Sequence, residues 1–387
     1  MKVVSGRDLE QHIAVFGESG SGKTVMLSSF YGAAQEEKTS LFQVVADSFE
    51  QGTRLQRAFL RMRTSAEVPD RTRFSATEYS FSVKLKVNSP DALKGAPFSA
   101  VRLVWHDYPG EWFEQDVSGP EEARRRLETF RSLLSSDVAI LLVDGQRLLD
   151  YADEEEKYLK SLLGNFNHAL WNLKDDLLED GKPLIEFPRI WMVALSKADL
   201  FPSDKDVNWF KDLMIEKVGE DIIELRKTLE QFVSGASALS FGEDYLLLSS
   251  AKFGDNKIEV TKRVGLDLIL PMAAILPLER YTAWAEAKSL PDALRDALLR
   301  SVGPLARILL GVAGKSKRLP APVADVLALL GPPLVDFVAD AVNMHQDELR
   351  TAKEDALAKG DYLRAMLTQF RLDLKQAEEK KVLLERP

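Results

Sequence analysis

The stretch "GESGSGKT", residues 17–24, has the residue types and spacing needed to grip phosphate oxygens. Gly17, Glu18, Ser19, Gly20, Ser21 and Gly22 form a loop whose glycines let backbone N–H groups wrap a β-phosphate. Lys23, Thr24 and Val25 then open a helix, whose N-terminus adds positive potential. Lys23 would reach the β and γ oxygens, and the Thr24 hydroxyl would ligate Mg²⁺.

Three further groups follow, each at the end of an apolar run. In "WHDYPGEWF" (105–113), Asp107 is placed to hold Mg²⁺, and Gly110 could offer its N–H to a γ-phosphate and act as a hinge. In "LSKAD" (195–199), Asp199 can accept two hydrogen bonds from the N1–H and exocyclic amine of guanine, a donor pair adenine lacks. The stem of Lys197 can lie along the base and ribose. In "SSAKF" (249–253), Ser250, Ala251 and Lys252 follow the last expected strand, and the Ala251 N–H could meet guanine O6. Ligands of open α/β sheets bind at such strand ends.

Taken together, "GESGSGKT", "DYPG", "SKAD" and "SAK" resemble the motif set of Ras-like (TRAFAC-class) P-loop GTPases across most of residues 12–253. Within that class "HDYPGEWF" is similar to the YcjX-type bacterial stress GTPases. The resemblance implies a cytoplasmic, Mg²⁺-dependent GTP/GDP switch with slow hydrolysis.

The sequence departs from that pattern in three places. Ser196 stands where Asn or Thr usually precedes Lys-x-Asp. Glu111 stands where a glutamine often follows D-x-x-G; it could orient the attacking water, while Trp112 offers an apolar lid instead. The threonine that senses Mg²⁺ and γ-phosphate lies in "VPDRTRFSATEY", where Thr72 is favoured over Thr77. Arg63, Arg71 and Arg73 are candidates for an arginine acting in cis on the transferring phosphoryl group, set against the ordinary reading of solvated loop arginines.

The elements that must position these groups alternate as βα units do. Strands are expected at 12–17, 78–87, 98–107, 136–145, 189–199 and 243–251. Between them, helices are expected from the glycine-rich loop to Ala33 and over 48–64, 119–136, 147–178 and 205–235. "NSPDALKGAP" leaves room only for a hairpin loop, so the sheet should be mostly parallel with one antiparallel hairpin. The expected fold is a three-layer α/β/α P-loop domain over 1–265 and an all-α region over 266–387. That helical region would be either a second domain or a bundle packed on the first.

Composition bounds the rest. The 387 residues are 45% hydrophobic and 29% charged, as in a globular protein with a sizeable core. A net charge of −9 argues against a general nucleic-acid partner. The absence of cysteine excludes thiolate catalysis and disulfides, and four scattered histidines do not make a histidine-rich metal site. No secretory-type leader and no run approaching the roughly 18 apolar residues of a spanning helix is read, so a cytoplasmic protein is expected. "GPLARILLGVAG" (303–314) and residues 320–342 read as buried bundle faces; a lipid- or partner-docking surface beside the basic "GKSKRLP" is the lesser reading. The function expected is a GTPase switch whose helical region couples to a protein partner. A P-loop ATPase, a non-hydrolysing scaffold and a dynamin-like membrane GTPase are the alternatives.

Overall fold

A computed structural model of the chain describes residues 9–37, 41–69, 77–86, 100–107, 119–134, 136–178, 181–182, 190–232, 239–254, 257–276, 341 and 344–385. The elements run β1 (Leu9–Phe16), α1 (Lys23–Glu36), β2 (Phe42–Ala46), α2 (Phe49–Ser65), β3 (Thr77–Leu85) and β4 (Ala100–Asp107). They continue with α3 (Pro120–Leu134), β5 (Val138–Asp144), α4 (Gly145–Asp150), α5 (Glu155–Asn172), α6 (Lys174–Leu177) and β6 (Ile190–Ser196). Then come α7 (Val207–Glu230), β7 (Ser240–Leu247), β8 (Lys252–Gly254) and β9 (Lys257–Glu259). The chain closes with α8 (Gln346–Ala358), α9 (Tyr362–Glu379) and β10 (Leu383–Leu384).

Eight strands form one sheet in the order β10-β7-β6-β5-β1-β4-β3-β2, and β8 with β9 forms a small hairpin of its own. From β7 through β4 all neighbours are parallel, whereas β3, β2 and β10 run antiparallel to the strands they join. Every residue of "VAILLVD" in β5 and "IWMVALS" in β6 is buried, as strands covered on both faces must be.

The two faces separate by alternation along each strand. Ile13, Val15, Leu103, Trp105, Ile140 and Met192 pack against Met26 and Phe30 of α1 and against Met366 and Phe370 of α9. Ala14, Phe16, Leu141, Trp191 and Val193 pack against Phe130 of α3, Phe166 of α5 and Phe210 of α7. This is the expected three-layer α/β/α arrangement. Among the described residues after 265, helices occur at 269–276, α8 and α9, whereas β10 is a strand in a region expected to be all helix. The described C-terminal helices share a core with the sheet, and β10 lengthens it by pairing Leu383 with Leu246. Among the described residues no helix is long and apolar enough to cross a membrane.

Several expectations are corrected. β2 was not expected: five residues with Val44 alone fully buried make a half-covered edge strand whose pattern is too short to read. With β2 and β10 the sheet holds three antiparallel pairings rather than one. The single helix expected over 147–178 is three, because Asp153 takes a left-handed φ of 70° and Leu173 leaves helical geometry. The helix over 205–235 ends at Glu230 and breaks internally at Val218. Apart from Ala341, the apolar stretches at 303–314 and 320–342 lie outside the described residues, as does "GKSKRLP".

One glycine fixes how α2 seats on α1. A Cβ added to Gly32 would lie 2.1 Å from Cγ of Phe59, which is fully buried on α2. Gly32→Ala is therefore expected to cost about 1–3 kcal/mol through overpacking, read as a lower urea midpoint at unchanged m.

Candidate functional site

The reversal of strand order beside β1, where the chain passes from β4 on one side to β5 on the other, puts a crevice at the carboxyl edge of the sheet. A cleft of about 370 Å³ opens there. It is lined by Ser19–Met26, Asp107, Ser196, Lys197, Asp199 and Leu248–Ala251, with Gln146, Leu200, Phe253, Val68 and Pro69 completing the wall.

The loop between β1 and α1 owes its shape to two glycines. Gly20 at φ 88° and Gly22 at φ 96° are left-handed, a region costly for residues with a Cβ. Gly22 is the N-cap of α1, so the first-turn N–H groups lack intrahelical acceptors and border the cleft. The Lys23 ammonium donates to the carbonyls of Gly17 at 2.7 Å and Glu18 at 3.0 Å, and lies 3.4 Å from Ser21 Oγ. It thus spans the loop with its residue only 7% exposed.

Asp107 ends β4 beside Val15 of β1 and is 1% exposed. Its carboxylate and the Thr24 hydroxyl both belong to cleft-lining residues. This is a hard-oxygen donor pair that suits Mg²⁺ completed by phosphate and water oxygens. Among the described residues no group of three or more His, Asp or Glu could hold a metal, so no all-protein cage competes with that arrangement. The Tyr79 hydroxyl, which accepts from Arg54, is made less acidic chiefly by burial; the Arg54 charge opposes this and the Asp107 charge adds to it.

The base side is built from two loops latched together. The Ser249 hydroxyl lies 2.6 Å from Asp199 Oδ1, to which it donates, and 2.9 Å from the Ala251 carbonyl. The Ala198 N–H donates to the Leu248 carbonyl at 3.0 Å. Lys197 is left-handed at φ 54°, and its ammonium sits 2.7 and 2.8 Å from the two oxygens of Asp144. Ser196 donates its hydroxyl to the Val143 carbonyl at 3.2 Å, so it ties β6 to β5 beneath the cleft. Lys252 opens β8 as an exposed residue and is not among those lining the cleft; β7 ends at Leu247, earlier than the residue 251 expected.

Thr72, Gly110, Glu111 and Trp112 lie outside the described residues, as do Arg71 and Arg73. Thr77 opens β3 directly opposite Asp107. Arg63 sits in the last turn of α2, pairs with Glu36 at the surface and does not line the cleft, so it is dropped as an arginine acting on phosphate.

Sequence reasoning missed several neighbours. Asp144 holds Lys197 and caps α4 by accepting the Gln146 N–H at 2.9 Å. Its own N–H donates to the Tyr158 hydroxyl at 2.9 Å. Tyr158 is made much less acidic by burial first and by the Glu18 charge second. The one sequence signal was "VDG" at the end of an apolar run, the same position in a strand that marked Asp107. Ser249 and Phe253 flank motif residues, while Val68 and Pro69 enter from the segment after α2 and open the stretch "VPDRTRFSATEY", where the sequence pointed to the threonines and arginines instead.

Comparison with known proteins adds a family. A family model described as Double-GTPase 2 matches residues 11–240, which contain three of the four motifs and more than half of the chain. No curated protein sequence matches. Among solved structures, the signal recognition particle receptor SRb-GTP/SRX complex from Chaetomium thermophilum is 18% identical, covering 65% of this chain and 94% of that one at a TM-score of 0.34.

Proposed function

We propose, from the premise that this chain belongs to the Double-GTPase 2 family and is a GTP-binding P-loop protein, that it hydrolyses GTP to GDP with Mg²⁺. One observation supports this reading above others. Residues Ser19–Thr24 of the phosphate loop, Asp107, Asp199 and Ala251 come from four separate strand ends and line a single cleft, while Gly17 and Glu18 lie behind it. An ATP site would use the loop and Asp107 but gives no reason for Asp199 to be latched to the Ser249–Ala251 loop.

In this reading the loop amides and Lys23 hold the β- and γ-phosphates, and Asp199 accepts the N1–H and exocyclic amine of guanine. The Ala251 N–H meets O6, and the Lys197 stem, held by Asp144, lies along the base. Thr24 and Asp107, with Thr72 joining, would hold Mg²⁺, which would supply charge neutralisation at the phosphate oxygens. Gly110 offers its N–H to the γ-phosphate, and Glu111 orients water for in-line attack. Relaxation of the segment around Gly110 after hydrolysis reaches a protein partner through residues 266–387.

Single-turnover hydrolysis tests the reaction. Wild-type protein should convert bound GTP to GDP and phosphate, and Glu111→Ala should slow this by about 10²-fold while leaving GDP affinity near wild type. Wild-type protein that binds GTP and never cleaves it would make the chain a nucleotide-held scaffold instead.

A further inference from the structure

A carboxylate is a poor neighbour for a polyphosphate, yet the second position of the phosphate loop is Glu18. The residue is 5% exposed, and its backbone carbonyl accepts the Lys23 ammonium, so it borders the cradle itself. Its carboxylate Oε2 lies 2.5 Å from Nη1 of Arg147, while Nη2 of the same guanidinium is 3.5 Å from the Ser19 carbonyl. Arg147 stands in the short helix α4, the helix capped by Asp144, which in turn holds Lys197. One side chain therefore joins the phosphate loop to the scaffold of the base side, and does so by cancelling a charge.

We propose that Arg147 is a positioning residue for the nucleotide: it neutralises Glu18, which would otherwise oppose the phosphates, and pins the loop to α4. The proposal rests on the reading of the cleft as a nucleotide site. Its physical basis is that a buried charge no longer offset by the Arg147 guanidinium acts more strongly on neighbouring charges through a low effective dielectric, with little screening by salt. The effect must grow with phosphate charge, so Arg147 matters more for a triphosphate than for a diphosphate. A residue that merely supported the fold would affect both alike.

Calorimetric titration with Mg²⁺–GTP and Mg²⁺–GDP separates the two. Arg147→Ala should weaken GTP by about 10- to 100-fold and GDP by several-fold less. Adding Glu18→Gln to that variant should recover at least about tenfold of the GTP loss, because the carboxylate that Arg147 offsets is gone. Arg147→Lys, which keeps the charge and loses the fork, should bind GTP more tightly than Arg147→Ala. Should Arg147→Ala fail to fold, the double variant measured against Arg147→Lys carries the comparison, with the two expected within about tenfold of each other. Equal losses for GTP and GDP, or no recovery in the double variant, would overturn the proposal. Wild-type protein that binds no guanine nucleotide would instead overturn the reading of the cleft, whereas wild-type binding with an unaffected Arg147→Ala overturns this inference alone.

Discussion

Lys23→Ala is expected to lower affinity for GTP and GDP by about 10²- to 10³-fold, with any hydrolysis lost alongside. The ammonium is the one cation within the loop, buried to 7% exposure and bridging the carbonyls of Gly17 and Glu18. In the proposed site, removing it would take away the charge meeting the β and γ oxygens and would leave loop carbonyls facing a polyanion. Charge-assisted bonds of this kind are about twice as strong as neutral ones, so neither water nor the loop amides replace it. Arginine should not rescue, since its planar fork needs space that a point charge does not. The check is calorimetry on folded protein, with a thermal melt to show that α1 still docks. Wild-type affinity in Lys23→Ala would contradict the phosphate assignment.

Asp199→Asn carries the second large effect, and it acts on selectivity. The carboxylate is an acceptor only, matched to the two adjacent donors of guanine and mismatched to adenine. An asparagine offers one donor and one acceptor, which suits xanthine, whose C2 carries an oxygen. GTP affinity should fall by about 10²- to 10³-fold and XTP affinity should rise above it, because a polar group that the bound base covers while presenting the wrong partner loses its hydrogen bonds outright. Ser249, which donates to Asp199 at 2.6 Å, can still donate to the asparagine oxygen, so the loop latch survives the change. An unaltered order of GTP, XTP and ATP affinities would remove Asp199 from base recognition.

Much of the site was legible because its residues sit at a strand's end or in the turn directly after it, where the backbone fixes their direction. Asp107 and Asp199 follow runs of Val, Leu and Ala that can only be covered strands, and both line the cleft. The loop at 17–24 was legible through its glycines, two of which adopt left-handed geometry. Less readable was whatever depends on partners distant in sequence. Glu18 looked like one more loop residue until α4 brought Arg147 beside it, 129 positions along the chain. Ser196 raised the question of base preference, yet its hydroxyl is engaged by the Val143 carbonyl of the neighbouring strand.

The fold divides along the same line. Long apolar runs announced β5 and β6, buried at every position. β2 and β10 escaped because an edge strand of two to five residues shows no period, and each forms only against a neighbour already in place. The charged C-terminal stretch read as helix, and α8 and α9 are helices; its tail joining the sheet at Tyr245 and Leu246 follows from packing that no local pattern encodes.

The most direct test of the central claim is calorimetric titration of the wild-type chain with GTP, GDP and ATP, each with and without Mg²⁺. A cleft lined by Ser19–Thr24, Asp107, Asp199 and Ala251 should bind GTP and GDP at least about 10²-fold more tightly than ATP, with GTP binding strengthened by Mg²⁺. Equal binding of ATP and GTP would contradict it.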